Sequence, residues 1–269
     1  MNAHPVVVIT GASSGIGLAL AEEYAGRNAR LVLAARSVEK LEEIAVRLRE
    51  KAAAVLVVKT DVSVETDCQA MIEKTVESFG GIDILINNAG ISMRAAFVDI
   101  DLEVIRKVMD INFWGTVYCT KYAISHLLKS KGSVVGVSSI AGFKGLPGRT
   151  GYSASKFAMH GFLDVIRVEM LKKGVHVMVA CPGFTQSNIR NTALTKDGSV
   201  QGESPREEEK MMTAEQVAGI IARGVDKRKR TLVMTTQGKM TVLVGKFFPK
   251  LLDKLTYNHI AKEPGAPFL

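Results

Sequence analysis

The amino-acid sequence predicts an α/β domain: a doubly wound parallel sheet of about seven strands with helices on both faces, followed by an amphipathic helical tail. Three observations lead there. Short apolar, β-branched runs alternate with amphipathic stretches from residue 6 to residue 234, the rhythm of strand–helix–strand units. The apolar runs are nearly continuous, which is what strands covered on both faces need. A glycine-rich turn stands where the first strand meets the first helix. The 269 residues suit one large domain over 1–238, with 239–269 as a basic extension of it.

In chain order, Val6–Thr10 reads as the first strand and 15–27 as the helix after its turn. Leu31–Ala35 and Val55–Lys59 are the next strands, with a helix near 38–52 between them. A helix near 64–79 leads to strand Ile82–Asn87, and one long helix, 101–129, leads to strand Val134–Ser138. Helix 152–172 precedes strand Val175–Ala180, and helix 213–226 precedes strand Leu232–Met234. Residues 185–212 break the rhythm with Asp197-Gly198-Ser199 and Gly202-Glu203-Ser204-Pro205, so this segment is expected to be a mobile lid. In the tail, Val244, Phe247, Phe248, Leu251, Leu252 and Leu255 share one helical stripe, with Lys246, Lys250, Asp253 and Lys254 opposite. Pro249 either kinks one helix there or starts a second.

Composition excludes other classes. With 47% hydrophobic and 23% charged residues, the chain is not disordered, collagen-like or a coiled coil. No apolar run approaches the roughly 18–20 residues that span a bilayer, and the N-terminus lacks the features of a signal peptide. Cys68, Cys119 and Cys181 form no CxxC pair, and the five histidines show no metal-ligand spacing. Reduced buried thiols and surface imidazoles in a cytoplasmic protein are the expectation, with no metal. From Lys227 onward, nine Lys and Arg face only Asp253 and Glu263, so +7 of the net charge of +8 sits in the tail. The body has no basic stripe of the kind nucleic acid requires.

The first turn reads Gly11-Ala12-Ser13-Ser14-Gly15-Ile16-Gly17. Glycines let backbone N–H groups approach a pyrophosphate, whose charge a helix N-terminus favours. A site for NAD places an acid about 20 residues further on, at the ribose 2′-hydroxyl. Here the second strand ends Leu33-Ala34-Ala35-Arg36-Ser37, without a carboxylate, and Arg36 offers a cationic fork to a 2′-phosphate. The cofactor expected is NADP(H). Tyr152 and Lys156 stand at i and i+4 of one helix, about 5–6 Å apart at Cβ. An ammonium there lowers the phenol pKa and makes its proton usable near neutrality.

The ordered set TGxxxGxG at 10–17, Asn87-Asn88-Ala89-Gly90, Ser138-Ser139, Tyr152 with Lys156, and Pro182-Gly183 resembles the short-chain dehydrogenase/reductase family in its single-domain, Rossmann-like form, over residues 6 to about 235. The resemblance implies roles residue by residue. Tyr152 is the general acid/base, Lys156 lowers its pKa and holds the nicotinamide ribose, Ser139 orients the substrate carbonyl and Asn112 positions a relay water. It also implies cofactor contacts from Gly11, Ser13, Ser14, Gly15, Ile16, Gly17, Arg36, Asp61, Val62, Asn88, Ala89, Gly90, Pro182, Gly183 and Thr185. With Ser139 and Tyr152, the substrate is expected to meet Phe143, Phe184 and Ile189, and Met93, Phe97, Ala141, Leu146 and Pro147 are further flanking candidates. An uncharged, hydrophobic carbonyl compound fits this apolar set. Arg94, Arg149 and Arg190 are candidates for an acidic group.

The expected function is therefore an NADP(H)-dependent oxidoreductase exchanging a ketone or aldehyde for its alcohol, as in lipid or steroid metabolism. Two other classes stay open: an epimerase or dehydratase using the same Tyr/Lys pair, and a non-catalytic NADPH-binding regulator. The tail has two readings, peripheral membrane contact or packing on the core or a partner. A homodimer or homotetramer is implied through helices 101–129 and 152–172.

Overall fold

In the computed structural model, residues 3–186, 188–202 and 211–268 are described. Seven strands form one parallel sheet: β1 (Val6–Thr10), β2 (Arg30–Ala35), β3 (Ala54–Lys59), β4 (Ile84–Asn87), β5 (Ser133–Val137), β6 (His176–Cys181) and β7 (Thr231–Val233). Their order is β3-β2-β1-β4-β5-β6-β7. Register pairs Val8 with Val32 and with Leu85, so the apolar runs align across the centre of the sheet.

The helices are α1 (Gly15–Ala25), α2 (Val38–Leu48), α3 (Glu65–Phe79), α4 (Leu102–Met109), α5 (Gly115–Ser130), α6 (Thr150–Glu169), α7 (Ala214–Asp226), α8 (Thr236–Phe247) and α9 (Pro249–Ile260). Strand side chains alternate between two cores. Val7, Ile9 and Leu33 meet α1, α2 and α7 through Leu20, Leu41 and Val217, whereas Val8, Val32 and Leu85 meet α3, α5 and α6 through Met71, Leu127 and Met159. Continuous apolar strands are thus buried on both faces. Thr213 and Gln216 close a reciprocal cap that starts α7.

Two expectations about elements change. The stretch 101–129 is not one helix, because a single turn of π-helix, Asp110–Trp114, separates α4 from α5. Such turns often mark functional positions. Of the two readings of Pro249, the second holds: it is the first residue of α9. The tail stripe does not pack as a whole, since Leu252 is buried while Phe247, Phe248, Leu251 and Leu255 remain more than half exposed. Lys239, Lys246, Lys250 and Lys254 are exposed beside them.

Of the expected lid, Ser187 and residues 203–210 lie outside the described residues. What is described is tied down: Thr185 pairs with Met212, and Leu194 pairs with both Met93 and Val200.

Candidate functional site

The strand order reverses between β1 and β4, and a doubly wound sheet leaves its crevice at the carboxyl ends of the strands at such a point. A cavity of about 980 Å³ lies there. It runs from the glycine-rich turn, past Arg36, Asp61 and Asn88-Ala89-Gly90, to Ser139, Tyr152, Lys156 and Pro182–Thr185.

The turn is built for close approach. Gly11 has φ +67° and packs on Ala89, and a Cβ on Gly17 would stand 2.1 Å from the Gly11 carbonyl oxygen. Asn88 and Ala89 both donate backbone N–H groups to Thr10 Oγ1 at 3.0 Å, and Asn88 Nδ2 donates to the Thr10 carbonyl at 2.9 Å. Asn88 therefore fixes the turn as well as lining the cleft. Ser14, the residue before α1, makes no side-chain cap. The first N–H groups of the helix thus have no side-chain acceptor and suit an anion. Gly17 is the one turn glycine that does not line the cavity; its part is to admit the Gly11 carbonyl.

At the end of β2, Arg36 is exposed on the cavity. Burial pulls the Asp61 carboxyl upward, but hydrogen bonds from the Ser63 side chain and backbone, with the charges of Arg36 and Lys107, outweigh it and hold the group below the usual carboxylate value. Ser63 Oγ donates to Asp61 Oδ1 at 2.6 Å. Lys107 also lines the cavity, a second cation there that no motif announced.

Ser139 follows β5 and accepts a hydrogen bond from Ala141 N at 3.1 Å. Tyr152, on the first turn of α6, lines the cavity together with Ser139, whose side chain acts to lower the phenol pKa. Lys156 Nζ stands 5.7 Å from the Tyr152 ring centroid and donates to the Val137 carbonyl at 3.0 Å. The phenol is not lowered as the sequence suggested. Burial raises it above its usual value and outweighs the lowering by Ser139, Arg149 and Arg190. Lys156 itself is buried and pushed down to about 8 by desolvation.

Asn112 sits in the π-helical turn, fully buried. Its amide bridges Ile91 N and Ile91 O at 2.8 and 2.9 Å and donates to Ser155 Oγ at 2.9 Å. It thereby ties α6 to the loop following β4, beside Gly90, which also borders Lys156 Nζ. Val62, Pro182, Gly183, Phe184, Thr185 and Ile189 all line the cavity, with Thr185 Oγ1 donating to the Gly183 carbonyl at 3.2 Å.

Phe143 does not reach the cavity. The short 3₁₀ turn Ile140–Gly142 swings its ring edge-on to His160, centroids 4.6 Å apart. Nor are all histidines surface groups. His160 meets Ser138 Oγ at 2.7 Å and is pushed down to about 4 by burial, then by the charges of Lys156 and Arg167. His176 is buried between Ser133 and the Lys229 carbonyl. Cys68, Cys119 and Cys181 are free and buried, as expected. Among the flanking candidates, Leu146 lines the cavity, Met93 is buried in a satellite core, and Phe97 is exposed. Arg149 lines the cavity while pairing with Glu263, and Arg94, which does not line it, pairs with the same carboxylate.

A doubly wound parallel sheet with a cleft at its switch point and glycine-built entry defines a nucleotide-binding α/β protein. The sequence profile described as short chain dehydrogenase matches residues 5–198, and the chain belongs to that family of oxidoreductases. It is 43% identical over 191 residues to 11-beta-hydroxysteroid dehydrogenase-like 4A of Arabidopsis thaliana, a match covering 70% of this chain and 64% of that protein. Against 11-beta-hydroxysteroid dehydrogenase A of Arachis hypogaea it is 36% identical over 270 residues, covering 97% and 77%. Dehydrogenase/reductase SDR family member 7B of Mus musculus is 35% identical over 264 residues, covering 96% and 82%. The crystal structure of an alcohol dehydrogenase from the archaeon Thermococcus sibiricus, complexed with 5-hydroxy-NADP, shares the fold, with a TM-score of 0.76, 24% identity, and coverage of 86% and 96%.

Proposed function

We propose that this chain interconverts a hydrophobic ketone or aldehyde and its alcohol using NADP(H), with Tyr152 as general acid/base. The observation that carries the reading is one continuous cavity, with the glycine-rich turn and Arg36 at one end and Ser139, Tyr152 and Lys156 at the other. The turn fits a pyrophosphate because the close approach of Gly11 and Gly17 leaves the start of α1 open. Gly11, Ser13, Ser14, Gly15 and Ile16 would hold the phosphates, Asp61 and Val62 the adenine, and Asn88 to Gly90, Tyr152, Lys156, Pro182, Gly183 and Thr185 the nicotinamide half. Arg36 and Lys107 favour a 2′-phosphate, since the nearest carboxylate, Asp61, is occupied by Ser63. A relative in fold complexed with 5-hydroxy-NADP supports this choice.

The bound nicotinamide supplies or accepts the hydride. In reduction, Ser139 and Tyr152 hydrogen-bond the substrate carbonyl oxygen, and Tyr152 gives up its proton as charge develops there. Lys156 keeps that end electropositive, and Asn112 fixes the spacing between α6 and the loop after β4. Leu146, Phe184, Ile189, Leu194 and Val200 give the substrate end apolar walls. The plant relatives, described as 11-beta-hydroxysteroid dehydrogenases or like them, favour a steroid-type carbonyl among hydrophobic substrates. The lid is the segment 185–212, whose Ile189, Leu194 and Val200 line the cavity. The exposed apolar face of α8 and α9, interleaved with lysines, docks on an anionic lipid surface, and α5 with α6 pairs subunits.

The test is NADPH fluorescence on binding, followed by loss of NADPH absorbance with lipid ketones, steroids and aromatic aldehydes. The expected result is turnover, with NADPH preferred over NADH by at least about tenfold. Binding without consumption of any carbonyl would turn the reading to a regulator.

A further inference from the structure

The C-terminal segment after α9 returns to Arg149, one of the residues lining the cavity, and sets a carboxylate against its guanidinium. Glu263 is buried, with its side chain 3% exposed, and meets Arg149 Nη2 at 3.0 Å and Arg94 Nε at 3.8 Å. Both arginines are buried with it, at 11% and 14% side-chain exposure. The seat is shaped for the segment. Arg94 Nη2 donates to the Pro264 carbonyl at 2.5 Å, and Pro267 fills the space over Gly148, where a Cβ would come within 2.6 Å of its ring. Gly148 is also held at φ +71°, so a side chain is disfavoured there twice over.

Arg149 lines the cavity three residues before Tyr152, and its charge is felt at the Tyr152 hydroxyl. Its Nη1 is buried with no hydrogen-bond partner among the described residues. Arg94 is tied to the cavity lining through its backbone, its N–H donating to the carbonyl of Leu194 at 2.8 Å. A guanidinium lining a substrate cavity attracts carboxylates strongly unless an internal anion cancels it.

We propose that Glu263 determines substrate charge preference, neutralising Arg149 and Arg94 from within so that the cavity takes uncharged carbonyl compounds and rejects those bearing a carboxylate. The inference rests on the reading of the Tyr152 cavity as the substrate site. A buried ion pair is replaced by substrate only if the internal partner leaves, so removing Glu263 opens a vacancy of the right charge and size.

The experiment compares wild type with Glu263→Gln and Glu263→Ala in the full chain, using a lipophilic ketone and its analogue bearing a terminal carboxylate. The ratio of kcat/KM for the carboxylate analogue over the neutral ketone rises at least about tenfold in the variants. A merely structural role lowers both substrates together and leaves that ratio unchanged, which overturns the proposal. Thermal melting with added acetate gives a readout independent of turnover: Glu263→Ala gains stability with acetate and wild type does not. Absence of that gain also overturns it. Failure of wild type to reduce either ketone counts instead against the functional reading beneath it, so the two failures are distinguishable.

Discussion

Tyr152 sets how the reaction responds to pH. Burial raises its pKa above the usual value, against the lowering by Ser139, Arg149 and Arg190, so the phenol stays protonated through neutrality. Reduction uses the phenol, a form lost only at high pH, whereas oxidation uses the phenolate, a form gained as pH rises. Oxidation of a secondary alcohol is therefore expected to climb in kcat/KM from about pH 7 to about pH 9, while ketone reduction stays level from about pH 6 to about pH 8. Parallel pH profiles check this, and an oxidation rate that falls over the first interval contradicts it. At this scale, residues with local spacing were legible in the sequence. The turn from Gly11 to Gly17 and the pair Tyr152 with Lys156 each announce themselves within seven positions, and Gly11, Ser13 to Ile16, Tyr152 and Lys156 line one cavity. Lys107 was not legible, because nothing local separates a cavity lysine from a solvated one. The Arg149–Glu263 pair joins residues 114 apart, a distance over which no sequence pattern speaks. Phe143 misled because a 3₁₀ turn rotates its ring toward His160.

Among the elements, the strands were read to within two residues at either end, since continuous apolar runs leave little choice of face or length. The π-helical turn at Asp110–Trp114 escaped, because one inserted residue in a helix barely disturbs the apolar period. Yet it is this turn that bears Asn112. The tail helices show the opposite limit. Periodicity found the stripe, but only tertiary packing could show that Leu252 alone of its six members is buried. Met240, Leu243, Phe247, Phe248, Leu251 and Leu255 stay about half exposed or more, close to four exposed lysines. No helix among the described residues is long and apolar enough to cross a membrane, so the proposed contact is peripheral. Each lysine near an anionic surface contributes about 1 kcal/mol, weakened by salt. The protein is expected to sediment with phosphatidylserine-containing vesicles and to be released by high salt or by Phe247→Glu with Phe248→Glu. Failure of the wild type to sediment would end the membrane reading.

For the whole molecule, strand order is the fact that makes the residues cooperate. Placing β1 beside β4 brings the turn of residues 10–17 against Asn88-Ala89-Gly90, and placing β5 next brings Ser139 to the same rim. Helix α6 then lays Tyr152 and Lys156 across that rim, and the C-terminal segment sets Glu263 against Arg149 of the cavity lining. The alternation of strands and helices made the sheet legible. The seating of Glu263 on Arg149 was not, since it depends on a three-dimensional return of the chain. The central claim is that the Tyr152 hydroxyl is the proton donor and acceptor of the reaction. The most direct measurement is turnover and NADPH binding by Tyr152→Phe, which keeps the ring and removes one oxygen. Turnover is expected to fall by at least about 10²-fold with NADPH affinity little changed. Near-normal turnover in that variant would contradict the account.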